Sequence, residues 1–234
     1  MNIASWFRRL STIALSILLS LTIFSAPANA FVATDYEKLR LTNACVKCDL
    51  SNLDLYGGAF AGADLSNANL SGSLLIEANL ENATLTGANL SGAILSSSRL
   101  SEANLIGADL SKADLSNALM SKANLTEADL TEANLESAII LGANLSNAVV
   151  KSAKLQRAIL SGSNLLNADF SSSKMRNTKL SKATLTCTNF YGADLLNSLM
   201  PNGTTYNGNV SDFKACQAEE GCNPKLCPAP ESIP

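Results

Sequence analysis

Histidine is absent from the chain, aromatic residues make up only 5% and charged residues 16%. Without imidazole, a Ser-His-Asp triad, a Cys-His pair and the commonest nitrogen ligand of zinc are excluded. A core so poor in rings must be filled by aliphatic side chains. The formal charge of −3 argues against a protein that neutralises nucleic-acid phosphates over its whole surface. No constellation of acid, base and nucleophile stands out, so the chain reads as a regular scaffold, not an enzyme, and implies no cofactor. What fills the 234 residues instead is largely Ala, Leu, Asn and Ser.

The first 30 residues have the form of an export signal. Arg8 and Arg9 supply a positive start, Ile13 to Phe24 is an uncharged apolar run, and Ala28-Asn29-Ala30 is a small-x-small cleavage site. The run of twelve residues is shorter than the roughly 20 that span a bilayer as a helix. Membrane contact is therefore expected only through an uncleaved signal. Leu10-Ser11-Thr12 fits the twin-arginine motif poorly, which favours the general secretory route. With Arg8 and Arg9 gone, 15 basic residues face 20 acidic ones, a net charge of −5.

From Leu50 to Met200 every fifth residue is large and apolar, giving 31 centres of which 23 are Leu. Two residues before each centre stands Ala, Ser or Thr in 28 of the 31, the exceptions being Cys48, Leu53 and Gly58. The residue just before the centre is Asn or Asp in 17 of 31. No insertion breaks the phase.

An α-helix advances about 500° in five residues, so such a pattern makes no apolar stripe on it. On a straight strand an odd period sends successive centres to opposite faces. Within one pentad, however, the small and the large residue are two apart and share a face. The consistent backbone is a short extended segment and a corner, repeated each pentad. That is an all-β solenoid with small and large residues inside. Apolar residues at the Asn/Asp position (Leu119, Ile139, Ile159 and Leu199; Leu74 and Ile94) recur at multiples of 20. Four pentads per coil follow, hence nearly eight coils.

Runs such as Ala63-Asp64-Leu65-Ser66-Asn67 and Ala88-Asn89-Leu90-Ser91-Gly92 resemble the pentapeptide-repeat proteins, A(D/N)LXX in pattern, over residues 48–202. The resemblance implies a right-handed quadrilateral parallel β-helix with a central Leu/Phe ladder. The lead-in is similar to exported members of cyanobacterial type, in which a short helix and a Cys-x-x-Cys precede the first coil. The organisation expected is a signal peptide (1–30), an N-terminal cap (31–47), the solenoid (48–202) and a Cys-containing tail (203–234). Solenoid ends need covering. Asp35 is predicted to cap a helix from Tyr36 to about Thr42, with Leu39 and Leu41 available to lie over the first coil. Pro201-Asn202-Gly203 stops the period, and the tail has little to bury.

Six cysteines in an exported chain point to disulfides. Cys45 and Cys48 sit a rod's length from Cys216, Cys222 and Cys227, so they form the local pair. Cys187, on an outward position of a late coil, is left to join those three in one of three ways. A redox dithiol or half a zinc site is the functional alternative for Cys45-Val46-Lys47-Cys48, but the βαβ context of the first and the further ligands of the second are missing. No metal is expected.

Two outer features are candidates for a partner surface. One is the aliphatic column Leu119, Ile139, Leu141 and Ile159, with Leu74, Ile76 and Ile94 on another face; contiguous exposed apolar surface marks docking sites. The other is a basic cluster of Lys154, Arg157, Lys174 and Arg176, near Lys151, Lys179 and Lys182, with Asp169 the lone acidic residue between 151 and 182. Glu127, Asp129, Glu132 and Glu136 crowd the stretch upstream. Asn-x-Ser/Thr triplets such as Asn69-Leu70-Ser71 are generated by the repeat itself and carry no information on glycosylation.

The function expected is a non-enzymatic structural or protein-interaction scaffold, exported to the thylakoid lumen or periplasm. Its partner is an unknown protein, with end-to-end or side-by-side self-association in view and no nucleic acid. The alternative, from other members of the family, is a DNA-mimic regulator of DNA gyrase, disfavoured by the signal and the basic C-terminal third.

Overall fold

A computed structural model describes residues 28–208. Parallel bridges join each residue before a centre to the one 20 positions on, from Ala44↔Asp64 through to Lys179↔Leu199. The chain therefore returns over itself every four pentads. Each side of the coil is too short for more than one bridge residue, so the sheets are built of single bridges stacked in columns, not of long strands.

The hydrogen bonding explains the period. Asn69 N–H reaches the Cys48 carbonyl at 2.8 Å, while Leu50 N–H reaches Asn69 and Asn52 N–H reaches Ser71 in the following coil at 2.7 and 2.9 Å. At each corner the small residue closes a turn on the preceding centre, as in Ala63 N–H to Phe60 carbonyl at 3.0 Å. The last corner residue takes positive φ, whether glycine (Gly62, 66°) or not (Asn67, 55°; Glu132, 61°), the signature of a type II turn.

The Asn/Asp preference has a local cause. All 17 of these residues accept, through Oδ1, the N–H two residues on, as Asp129 does from Thr131 at 2.8 Å and Asn69 from Ser71 at 3.2 Å. These Asx turns satisfy the one amide per pentad that neither the coil-to-coil ladder nor the corner turn uses.

Inside, the centres stack into ladders. Leu85, Leu105 and Leu125 are fully buried and Leu65 is 1% exposed, and each buried Leu contributes about 1.5–3 kcal/mol relative to exposure. Phe170 and Phe190 stack with centroids 5.6 Å apart. Gly58 replaces the usual Ala because a Cβ there would lie 2.1 Å from the Phe60 ring.

The N-terminal cap departs from the sequence expectation. Helix α1 runs Ala28–Thr42, so it starts well before Tyr36 and takes the Ala28-Asn29-Ala30 cleavage site as its first three residues. The rest of the leader lies outside the described residues. Asp35 is thus inside α1 and cannot cap it. Its Oδ2 instead accepts Asp49 N–H at 2.9 Å, tying the helix to the first coil. Leu39 is 1% exposed and covers the end of the core, whereas Leu41 faces solvent at 75%. Asn43, at φ 53°, ends the helix in the left-handed conformation that such termini favour.

The coil also begins earlier than residue 48. Cys45 stands on the five-residue phase as a centre, with the Ala44↔Asp64 bridge beside it. At the far end the chain does not simply leave. After Pro201 it reverses, Leu199 pairs antiparallel with Thr205, and Met200 N–H and Tyr206 N–H bond to Thr204 and Ser198, both at 2.8 Å. This return strand covers the edge of one side of the last coil, at Leu199, and Tyr206 is 8% exposed. The remainder of the tail, with Cys216, Cys222 and Cys227, lies outside the described residues.

Candidate interaction surface

Cys45 and Cys48 are joined by a disulfide with Cα atoms 5.3 Å apart. Because Cys45 is a centre and Cys48 the next small residue, the bond spans the inside of one corner. The Asp35 carboxylate and both sulfurs fall within 4.8 Å of one another. Sulfurs bonded to each other carry no thiolate charge to offer a cation, so the trio serves as a clamp between α1 and the first coil. Lys38 Nζ lies 3.8 Å from Cys48 Sγ on the same seam. Cys187 is disulfide-bonded as well. Its backbone takes the positive-φ corner position (55°), the outward register expected of it, but at 5% exposure the residue is covered.

Among the described residues the hydrogen bond to Glu77 raises the Tyr56 hydroxyl above its ordinary value, and two carboxylates are shifted the other way. Asp64 is held below the ordinary carboxylate range by the Ser66 hydroxyl, which donates to Oδ1 at 2.6 Å, and by Ser66 N–H at 3.1 Å. Ser51 holds Asp49 down in the same way, hydroxyl first and amide second. Both are Asx-turn groups with structural work to do.

The aliphatic column is continuous. Leu119, Ile139 and Ile159 are joined by successive parallel bridges, and the column runs on to Lys179 and Leu199. Leu119 and Leu141 are exposed, at 38% and 41%, and Ile139 and Ile159 are half-buried. Leu74 and Ile94 form a second, shorter pair by bridging. Tyr56 and Tyr191, at 59% and 52%, are exposed aromatics that the repeat pattern did not single out. They stand at the position after a centre, where a large apolar residue in place of Ser or Thr is the available signal.

The basic cluster comes together only in part. Lys154 and Lys174 are bridge partners in adjacent coils. Arg157 pairs with Glu136, however, and Arg176 with Asp194. Exposed pairs of this kind add little to stability, but they cancel half of the expected charge. Within the cluster and beside it, the ion pairs leave Lys151, Lys154, Lys174, Lys179 and Lys182 as lone cations. The upstream acids form no acidic face: Glu127, Asp129, Glu132 and Glu136 sit on different sides and corners of a 20-residue coil.

The family model described as Pentapeptide repeats matches at residues 45–72, 63–101, 98–136, 128–167 and 163–200, with eight copies. This chain belongs to that family. Among solved structures it is 30% identical to HetL, a pentapeptide repeat protein involved in heterocyst differentiation regulation from the cyanobacterium Nostoc sp. strain PCC 7120, over 70% of this chain and 91% of that one, with a TM-score of 0.35. It is 37% identical to AT2G44920, from the Arabidopsis thaliana thylakoid lumen, over 49% of this chain and 69% of that one, TM-score 0.33. With QnrB1, a plasmid-mediated fluoroquinolone resistance protein, it shares 20% identity over 68% and 89%, TM-score 0.35. No curated protein matches it.

Proposed function

We propose that the chain is an exported, non-enzymatic scaffold that docks another protein on the face centred on Ile139, working in the thylakoid lumen or periplasm. In this reading the solenoid is right-handed and four-sided, of nearly eight coils, with α1 as its cap. Location rests on the leader-like residues 1–30. The docking face rests on one observation: the column Leu119–Ile139–Ile159.

A side chain at that position usually accepts the amide two residues on. Three coils in succession give up this bond for exposed or half-exposed hydrocarbon, which local stability does not favour and a partner surface does. Lys154 and Lys174 border the same coils and add unpaired positive charge beside the strip, Arg157 and Arg176 being neutralised by Glu136 and Asp194. The disulfides Cys45–Cys48 and that of Cys187 suit an oxidising compartment. The DNA-mimic reading fits less well, because lone lysines stand at 151, 154, 174, 179 and 182, where such a mimic needs acid.

The test is capture of partners by the purified chain from the soluble and membrane fractions of its native compartment, compared with an Ile139→Asp/Ile159→Asp variant. The expected result is loss of a specific partner with unchanged circular dichroism and melting. The same capture profile from both proteins removes this face as the docking site.

A further inference from the structure

Resting on the docking reading above, we infer that the partner on this face is a second copy of the chain, packed antiparallel across a two-fold axis at the Ile139–Leu141 coil. The arrangement of the face about that coil carries the inference. Leu119 lies one coil before Ile139 and Ile159 one coil after, in a single bridged column. A two-fold axis across the face, perpendicular to the rod, sets Ile139 on Ile139 and Leu119 on Ile159, so the apolar strip is complementary to itself. Gly142, at the adjoining corner of the central coil, lies on the same axis and gives the two backbones room to approach.

The charges follow the same symmetry. On that corner Glu102 stands two coils before Gly142 and Lys182 two coils after, both multiples of the 20-residue repeat. Antiparallel packing brings Lys182 of each copy to Glu102 of the other, twice per dimer. Glu102 already holds Lys122 at 3.0 Å through Oε1, leaving its second oxygen for the incoming lysine. Two contacts are of like sign: Glu136 meets its own copy at the other corner of the central coil, where Arg157 neutralises it, and Arg99 faces Lys179. Arg99 is neutralised by Glu81, whose Oε1 takes both Nε and Nη2 at 3.0 and 2.8 Å, and the free Oε2 is available to Lys179. A foreign partner has no need of this mirror arrangement; a second copy requires it.

Sedimentation of the purified full chain from about 1 to 300 μM tests the inference directly, the strip being small enough for association to depend on concentration. The expected result is a reversible dimer that Ile139→Asp reduces to monomer. Lys182→Glu and Glu102→Lys each weaken it about tenfold, and the double swap restores it. Leu141→Cys in oxidising buffer links the dimer covalently across the axis. A chain monomeric throughout, a dimer indifferent to Ile139→Asp, or a double swap no better than its parents overturns the inference. If the chain is monomeric yet Ile139→Asp/Ile159→Asp still abolishes capture of another protein, the docking face stands and only the second copy fails; loss of both observations removes both.

Discussion

Ser163 Oγ donates to the Ile140 carbonyl of the preceding coil at 2.6 Å and accepts Ala143 N–H at 3.2 Å. A hydroxyl in the inner ladder thus stitches two coils through the corner between them. Ser173, Thr178, Thr188 and Ser198 donate to carbonyls 23 residues earlier in the same way. Ser98 occupies the equivalent inner position, fully buried, and its hydroxyl has no partner.

Ser98→Ala is therefore expected to raise stability by about 1 kcal/mol, and Ser163→Ala to lower it by about as much, since a buried hydroxyl helps only when bonded. Urea titration of the two variants checks the opposite signs.

Leu125→Ala, in the middle of the filled axis, should cost about 3–5 kcal/mol, because flanking coils held by their own ladders cannot collapse into the gap. Chemical denaturation measures the loss. A change below about 1 kcal/mol would mean that the axis is not closely packed.

Among the described residues, twenty-three other than glycine sit at positive φ. Glu132 is one of them, exposed and at φ 61°. Glu132→Ile should destabilise by about 1–2 kcal/mol, since a β-branched side chain tolerates that conformation worst, while Glu132→Gly should be neutral or slightly stabilising. Melting temperatures of the pair decide it.

Asp49 and Asp64 are held below their unfolded values by the serines that bond them. Their contribution is complete above the ordinary carboxylate range, about pH 4, and is lost as the pH falls further through the depressed folded values. Asn keeps the Asx bond to the amide without titrating. Thermal melts from pH 7 to 2 should show a shallower acid loss for Asp49→Asn/Asp64→Asn than for the parent.

The repeat was legible because one backbone solution satisfies a period of five, and each position of the pentad has a single job. The small residue fits the corner, the centre fills the axis, and Asn or Asp takes the stranded amide. Where a residue serves two elements at once, the pattern falls silent. Asp35 looks like a helix cap because its partner, Asp49 N–H, belongs to the coil and not to the helix. Cys45 hides its place on the phase because a cysteine is not a leucine. Cys187 shows that register gives a side chain's direction but not its covering. The return of residues 204–206 over the last coil depends on an open edge, which no local motif encodes. Of the basic cluster, the stacking of Lys154 on Lys174 follows from the period of 20, whereas the pairing of Arg157 with Glu136 and Arg176 with Asp194 depends on reach between neighbouring coils.

The claim on which the rest depends is that the chain climbs one strand spacing for every 20 residues. Spin labels on cysteines introduced at Ser97 and Asn177, exposed corner positions 80 residues apart in one column, measure that climb by dipolar spectroscopy. Four coils at about 4.8 Å each place the two backbones about 19 Å apart, and the distance distribution should be narrow and centred within a label's length of that value. A broad distribution near 50 Å, as expected of a flexible chain of this length, would contradict the account.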